Sequence, residues 1–296
     1  MAADTTRVGD TRRLLLATDL SCRCDRALGR AALLSKLWHA ELLAMHVLEE
    51  PQEPVYERQA SELPSWRRTP DWSSWVERKL RADLLEHVPA ANVIVARGDP
   101  GNAILGVAAQ CDVDLVLTGV PRTEAFNHLL SGATVNSLIR NAKVPVLVVK
   151  NRPRSEYRTI VLPTDFSETS QHALCATLRL FPNDNVILFH AFQMSGWAVP
   201  RNEHSATQFR EMAELEAWAF LTKCGVAVDL DDARVKFVIE SGEAGWLLRD
   251  YVRAKNVDLV VLGTHGRSAL MEVFVSSTAK RILEIVPCDV MVVRQP

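Results

Sequence analysis

The chain carries one unit written twice. Val113-Asp114-Leu115-Val116-Leu117-Thr118-Gly119 and Val257-Asp258-Leu259-Val260-Val261-Leu262-Gly263 are closely similar runs closed by the same glycine, 144 positions apart. An apolar run this short reads as a buried strand. In the second copy it leads into Gly263-Thr264-His265-Gly266-Arg267, a Gly-x-x-Gly turn that leaves bare backbone N–H groups at the strand's carboxyl edge. Open α/β sheets bind ligands at that edge, and bare amides suit phosphate oxygens. A duplication within 296 residues implies two domains, each of roughly 150 residues and thus of ordinary single-core size.

The rest of the chain keeps the same rhythm. Arg13-Leu14-Leu15-Leu16-Ala17-Thr18-Asp19-Leu20-Ser21 and Thr159-Ile160-Val161-Leu162-Pro163-Thr164-Asp165-Phe166-Ser167 are apolar runs ending in Thr-Asp-x-Ser. Ser21 and Ser167 stand where helix N-caps belong. Second strands follow at Leu42–Val47 and Val186–Ala191, third strands at Asn92–Ala96 and Val235–Ile239, and closing strands at Pro145–Val149 and Asp289–Val293, with amphipathic helices between them. Alternating strands and helices predict a parallel sheet with right-handed crossovers in each half. The polar stretch Lys150–Tyr157 has no apolar period, so the boundary falls there, giving domains 1–150 and 151–296.

Composition narrows the function classes. A net charge of −2 and a pI near 6.5 supply no global basic field for nucleic acid or an anionic membrane. No run is long and apolar enough for a membrane helix, and Met1-Ala2-Ala3-Asp4 opens no signal-peptide core, so a cytoplasmic protein is expected. The six cysteines are scattered, most of them in apolar helical or strand-like contexts such as those of Cys111 and Cys175. They read as small hydrophobes in a reducing compartment. Cys22-Arg23-Cys24 is too tight for a zinc knuckle and has no partner pair, and no metal site is expected.

Asp19 and Asp165 end the first strands, as Gly119 and Gly263 end the fourth. If those strands are neighbours where the winding reverses, carboxylate and glycine turn face one crevice. The carboxylate would then accept bonds from a base or ribose, or else it merely caps its helix. These residues bring a family into view. Asp258–Arg294, with its Gly-Thr-His-Gly-Arg-Ser and closing Val-Met-Val-Val-Arg, resembles the universal stress protein family, and so do the paired Thr-Asp-x-Ser openings. The resemblance covers nearly the whole chain and is that of a tandem member. It implies two doubly wound α/β domains, each a five-stranded parallel sheet in the order 3-2-1-4-5 with helices on both faces, and ATP in the crevice of binding members. It also implies a phosphate pattern of Gly, two residues, Gly, nine residues, then Gly and Ser or Thr.

Both halves depart from that pattern. In the second, Gly263 and Gly266 match, Ser276 replaces the later glycine, and Ser277 and Thr278 keep hydroxyls at a helix start. In the first, Gly119 and Gly132 match, but Arg122 replaces the second glycine, Pro121 removes an N–H, and Ala133 lacks the hydroxyl. An adenine nucleotide, ATP with or without Mg²⁺, is therefore expected mainly in the second half. Asp165 would face the adenosine, with Gly263, Gly266, Arg267, Ser276, Ser277 and Thr278 around the phosphates. Asp19, Gly119 and Gly132 are the weaker counterparts.

His46 and His190 repeat in register and read as structural, and His265 as a loop residue. The excursion Pro51–Trp75, with Trp66, Trp72 and Trp75 beside Arg67 and Arg68, reads as a lid on the sheet edge or a helix start packed on the core, the alternative being exposed anchors for a protein interface. With its counterpart around Trp197 and Pro200 it would flank the two crevices. The closing strands would be apolar edges, which need cover. The resemblance implies that they pair antiparallel, here within one chain as a pseudo-dimer, with a further homodimer left open. Three functions follow: a stress-response regulator that binds nucleotide and an unknown protein partner, a scaffold with degenerate sites in both halves, or an enzyme. No Walker-type lysine, acid–base pair or activated nucleophile is visible, so any enzymatic role is at most that of a slow ATPase.

Overall fold

Runs such as Leu14-Leu15-Leu16 and Val260-Val261-Leu262 have no polar alternation, and such runs are stable as strands only where helices cover both faces of a sheet. The computed structural model describes residues 11–49, 72–120, 132–192, 203–225, 235–264 and 277–295. The chain divides into two compact units, Met1–Gly119 and Val120–Pro296.

The first unit contains β1 (Arg13–Ala17), α1 (Asp25–Trp38), β2 (Glu41–Leu48), α2 (Trp72–Leu85), β3 (Asn92–Arg97), α3 (Pro100–Gln110) and β4 (Leu115–Gly119). Its strands lie in the order β3-β2-β1-β4, all parallel. Leu14, Leu15, Leu16, Leu115, Val116 and Leu117 are wholly buried.

The second unit contains α4 (Ala133–Asn141), β5 (Val146–Val149), β6 (Thr159–Pro163), α5 (Glu168–Leu180), β7 (Asn185–Phe192), α6 (Glu203–Lys223), β8 (Val235–Ser241), α7 (Ala244–Ala254), β9 (Leu259–Gly263), α8 (Ser277–Ile285) and β10 (Asp289–Val293). The order is β8-β7-β6-β9-β10-β5. The second repeat thus shows the expected 3-2-1-4-5 arrangement in full, with every pair parallel. The edge that this topology leaves on β10 is covered by β5, which pairs with it antiparallel through Val290↔Val148, Met291↔Leu147 and Val292↔Val146. α4 and β5 come from the first sequence repeat, yet Val135, Ile139 and Val148 belong to one apolar cluster with Val260, Leu262, Ile282 and Val292.

A buried polar knot ties β5 to the end of α8. Asp289 is fully buried and accepts hydrogen bonds from Tyr157 Oη (2.7 Å) and from the backbone N–H groups of Lys150 and Asn151 (2.8 Å each). Lys150 Nζ donates to the Leu283 and Val286 carbonyls at the C-terminal end of α8, where a cation complements the helix dipole.

The two copies share backbone specials as well as elements. Leu20 and Phe166 are left-handed (φ 59° each), Gly98 and Gly242 have φ of 111° and 145°, and Asp112 and Asn256 have φ of 47° and 50°. Asp114 and Asp258 accept the N–H of Arg13 (2.9 Å) and of Thr159 (3.0 Å), pinning the start of the first strand to the start of the fourth.

Two sequence expectations are corrected. Ser167 caps α5, its side chain accepting from Ser170 N–H, but Ser21 does not cap α1, whose N-cap residue is Cys24. The Cys24 N–H bonds the Ser21 carbonyl (2.9 Å) instead of its hydroxyl, so α1 starts later and Ser21 Oγ is buried without a partner. Trp72 and Trp75 do begin α2, but they stand exposed, edge to face at 6.1 Å, while Val76, Leu80 and Leu84 provide the buried face. The remainder of the Pro51–Trp75 excursion through residue 71, together with Trp197 and Pro200, lies outside the described residues.

Candidate functional site: a crevice at the carboxyl edge of the second sheet

In the second unit β6 lies between β7 and β9, so the chain winds away in opposite directions from the β6–β9 junction. The two strands pair through Ile160↔Leu259 and Val161↔Val260. Just past their carboxyl ends each continues the ladder with its outer neighbour. Thr164 N–H bonds the Phe189 carbonyl of β7 (2.9 Å), and Thr264 N–H bonds the Val293 carbonyl of β10 (3.2 Å). A junction of two adjacent parallel strands whose chain continues on opposite sides is the switch point at which open α/β sheets bind ligands. Asp165 follows one of these ends and Gly263 closes the other.

The Asp165 tip is built by its own chain. Phe166 holds a left-handed conformation that costs a side-chain-bearing residue on the order of 1 kcal/mol. Three bonds hold it there. Thr164 Oγ1 accepts from Phe166 N–H (2.9 Å), and Asp165 Oδ1 accepts from Ser167 N–H (3.1 Å) and from Ser170 Oγ (2.9 Å). The Phe166 ring stacks on His190 with centroids 4.6 Å apart, and His190 Nδ1 donates to the Thr164 carbonyl (2.8 Å). The in-register histidine therefore serves the tip structurally, as His46 does by donating to the Thr18 carbonyl (2.8 Å).

Gly263 is bare because α5 approaches it. A Cβ there would lie 2.9 Å from Thr169 Cγ2 and 3.2 Å from the Thr169 carbonyl oxygen. Thr169 is itself buried and its hydroxyl donates to Gln295 Oε1 (3.2 Å). The first turn of α5 thus sits between the two tips, lined by the hydroxyls of Ser167, Thr169 and Ser170.

The first unit repeats this arrangement with different chemistry. Thr18 Oγ1 accepts from Leu20 N–H (3.0 Å) and Asp19 Oδ1 from Ser21 N–H (2.9 Å). Cys24 stands in the register of Ser170, and its thiol hydrogen-bonds Asp19. Burial pushes that thiol up to about 11, and the Asp19 carboxylate contributes to the rise. A Cβ on Gly119 would lie 3.2 Å from both Cys24 Sγ and the Arg23 carbonyl oxygen. β1 stays paired with β4 through Ala17↔Thr118, over four residue pairs, against two for β6 and β9. Thr169, Ser170 and Gln295 were not singled out in the sequence, and Cys24 only as half of the Cys22–Cys24 pair. The 146-residue offset from Asp19 to Asp165 also aligns Cys24 with Ser170 and was the available signal for that pair.

Of the other candidates, Gly132 is the N-cap residue of α4, and Ala133 opens that helix without a side-chain cap. Ser277 opens α8, and Thr278 in its first turn is exposed. Gly266, Arg267, Ser276, His265, Pro121 and Arg122 lie outside the described residues. Among the described residues no group of three metal-ligating side chains converges.

A model of the universal stress protein family matches residues 10–150 and again 156–294. The chain belongs to the universal stress protein family. It is a tandem member, two such domains in succession. A universal stress protein of Mycolicibacterium smegmatis is 25% identical over 307 aligned positions, covering 95% of this chain and 96% of the relative. One from Methanocaldococcus jannaschii is 24% identical over 164 positions, covering 55% of this chain and 90% of its own length. The crystal structure of a universal stress protein from Archaeoglobus fulgidus shares the fold with a TM-score of 0.62 at 18% identity, covering 96% of this chain and 98% of that one. Among the described residues no helix is long and apolar enough to cross a membrane.

Proposed function

We propose that this tandem universal stress protein is a regulator that binds one adenine nucleotide, ATP or a close relative, in its second domain (residues 151–296). The observation that carries the reading is the switch point where β6 and β9 meet, with Asp165 and Gly263 at their carboxyl ends and the N-terminal end of α8 following in sequence. The donors present suit the ligand. The Asp165 carboxylate would take the ribose or base, and the amides of Gly263 and Gly266, the α8 start at Ser277 and Thr278, Ser276 and the Arg267 cation would take the phosphates. The first domain (residues 1–150) would play the structural part, since Cys24 stands where Ser170 does in the second and Ala133 opens α4 without a hydroxyl.

Binding would favour one arrangement of the glycine turn and so change what the protein presents to a partner protein. The scaffold reading is favoured by a different observation. Thr169 by itself accounts for the bareness of Gly263. A melting experiment with and without millimolar ATP and Mg²⁺ separates the two. A ligand at about a hundred times its dissociation constant adds roughly 2.7 kcal/mol, so a clear rise in melting temperature is expected, and its loss in Gly266→Val. An unchanged melting temperature in the wild type favours the scaffold.

A further inference from the structure

Two cysteines distant in sequence meet at the surface of the second unit. Cys175 is exposed on α5, and Cys224 is the half-exposed residue that follows α6. Cys224 N–H bonds the Phe220 and Leu221 carbonyls (3.2 and 3.0 Å), and Gly225, with φ of +66°, turns the chain out of the helix. One turn before Cys175, Gln171 Nε2 donates to the Lys223 carbonyl (3.0 Å), tying α5 to this helix end. With Cys175 one turn on from Gln171 and Cys224 next to Lys223, this contact brings the two thiols to interacting distance. The sequence reading of Cys175 as a small buried hydrophobe is therefore replaced by an exposed thiol with a thiol partner.

We propose that Cys175 and Cys224 are a peroxide-responsive dithiol that closes reversibly to an intrachain disulfide. The Cys175 thiolate attacks one oxygen of hydrogen peroxide, the O–O bond breaks, and the products are a Cys175 sulfenic acid and hydroxide. Cys224 sulfur then attacks the sulfenic sulfur, its proton leaves with the hydroxyl as water, and the S–S bond forms. Overall two thiols are oxidised, one peroxide is reduced, and two waters are released. Cys175 is the attacking sulfur because it is the more exposed of the two. The Cys224 thiol beside it pulls its pKa down to about 7, which raises its thiolate share at neutral pH above that of an ordinary cysteine. The same contact, with burial, raises the Cys224 thiol. Cys24 and Cys288 provide the contrast. Both are buried, and burial pushes them up to about 11 and about 12, which keeps them protonated and unreactive.

The test is one equivalent of hydrogen peroxide on the intact, reduced protein at pH 7, followed by thiol titration and non-reducing peptide mapping. Two thiols per chain should disappear, a single cross-linked peptide pair should contain Cys175 and Cys224, and dithiothreitol should restore both. In Cys224→Ser the reaction should stop at a sulfenic acid on Cys175, trapped by dimedone, and Cys175→Ser should yield neither product. In the wild type the rate of Cys175 alkylation should reach half its maximum near pH 7, and that midpoint should move upward in Cys224→Ala. Persistence of all six thiols, or a cross-link joining any other pair, overturns the proposal. So does dimedone trapped elsewhere than on Cys175 in Cys224→Ser.

Discussion

Gly263 shows how a residue chosen for one role is also required by another. Its turn suggested phosphate binding, but the close approach of Thr169 already forbids a side chain there. Gly263→Ala should destabilise the protein by about 1–3 kcal/mol, because a buried, hydrogen-bonded threonine has little room to shift. Gly106, inside α3 with open space around its Cα, should behave oppositely. Gly106→Ala should stabilise by about 0.5–1 kcal/mol. Urea unfolding of the two variants tests both signs, and a Gly263→Ala protein as stable as wild type would refute the packing account. Lys150 carries a second residue-scale prediction. Burial lowers its pKa to about 8, against the opposing attraction of Cys288, Asp289 and Glu284. The unfolded lysine keeps the ordinary value of about 10.4. Between those values the unfolded chain binds more protons, so this group makes the folded state more stable as pH rises from about 8 to 10. Cys288, raised to about 12, acts in the opposite direction above the ordinary thiol value. The comparison with Lys150→Met isolates the lysine. The stability of wild type relative to that variant should grow from pH 8 to pH 10, and a constant gap would contradict the assignment.

At the scale of elements, strands and most helices were legible because their apolar periods are uninterrupted. α1 and α5 end at Trp38 and Leu180, where the spacing of apolar residues stops. The helix starts were less legible. The Thr-Asp-x-Ser openings match in three of four letters and in their left-handed third residue, yet only Ser167 became a cap. The difference lies in a backbone choice, Cys24 N–H to the Ser21 carbonyl, which residue identity does not encode. Ser167→Ala should therefore cost about 1 kcal/mol, an ordinary capping loss. Ser21→Ala should cost nothing measurable, since its buried hydroxyl has no partner to lose. Equal losses in the two variants, read from thermal melts, would mean that both serines cap. The exposure of Trp72 and Trp75 was left undecided for a related reason. Periodicity says which face of α2 is apolar, but the tryptophans fall at its first turn, ahead of the Val76, Leu80 and Leu84 stripe.

On the scale of the whole molecule, the duplication was the most legible feature and its consequences the least. The family resemblance implied that the closing strands would meet antiparallel, and β5 does lie on β10. The repeat did not predict that α4 would join the apolar cluster of the second unit, so that the compact division falls after Gly119 while the two family matches meet between residues 150 and 156. Nor did spacing reveal the dithiol, because Cys175 and Cys224 are brought together only when α5 and the end of α6 pack. The duplication also frames the functional claim. Two copies of one strand junction have diverged, with a cysteine beside one acidic tip and a serine holding the other, and with fewer paired residues between the first and fourth strands of the second copy. One nucleotide per chain, in the second copy, is the central claim. Its most direct test is calorimetric titration of ATP into the intact protein, Asp165→Asn and Asp19→Asn. Asparagine keeps the oxygen that accepts from Ser167 and Ser170, so Asp165→Asn removes the charge and spares the turn. The account predicts one site per chain, weakened at least tenfold in Asp165→Asn, a loss of about 1.4 kcal/mol or more, and unchanged in Asp19→Asn. No heat at millimolar ATP, two equivalent sites, or a site lost only in Asp19→Asn would contradict it.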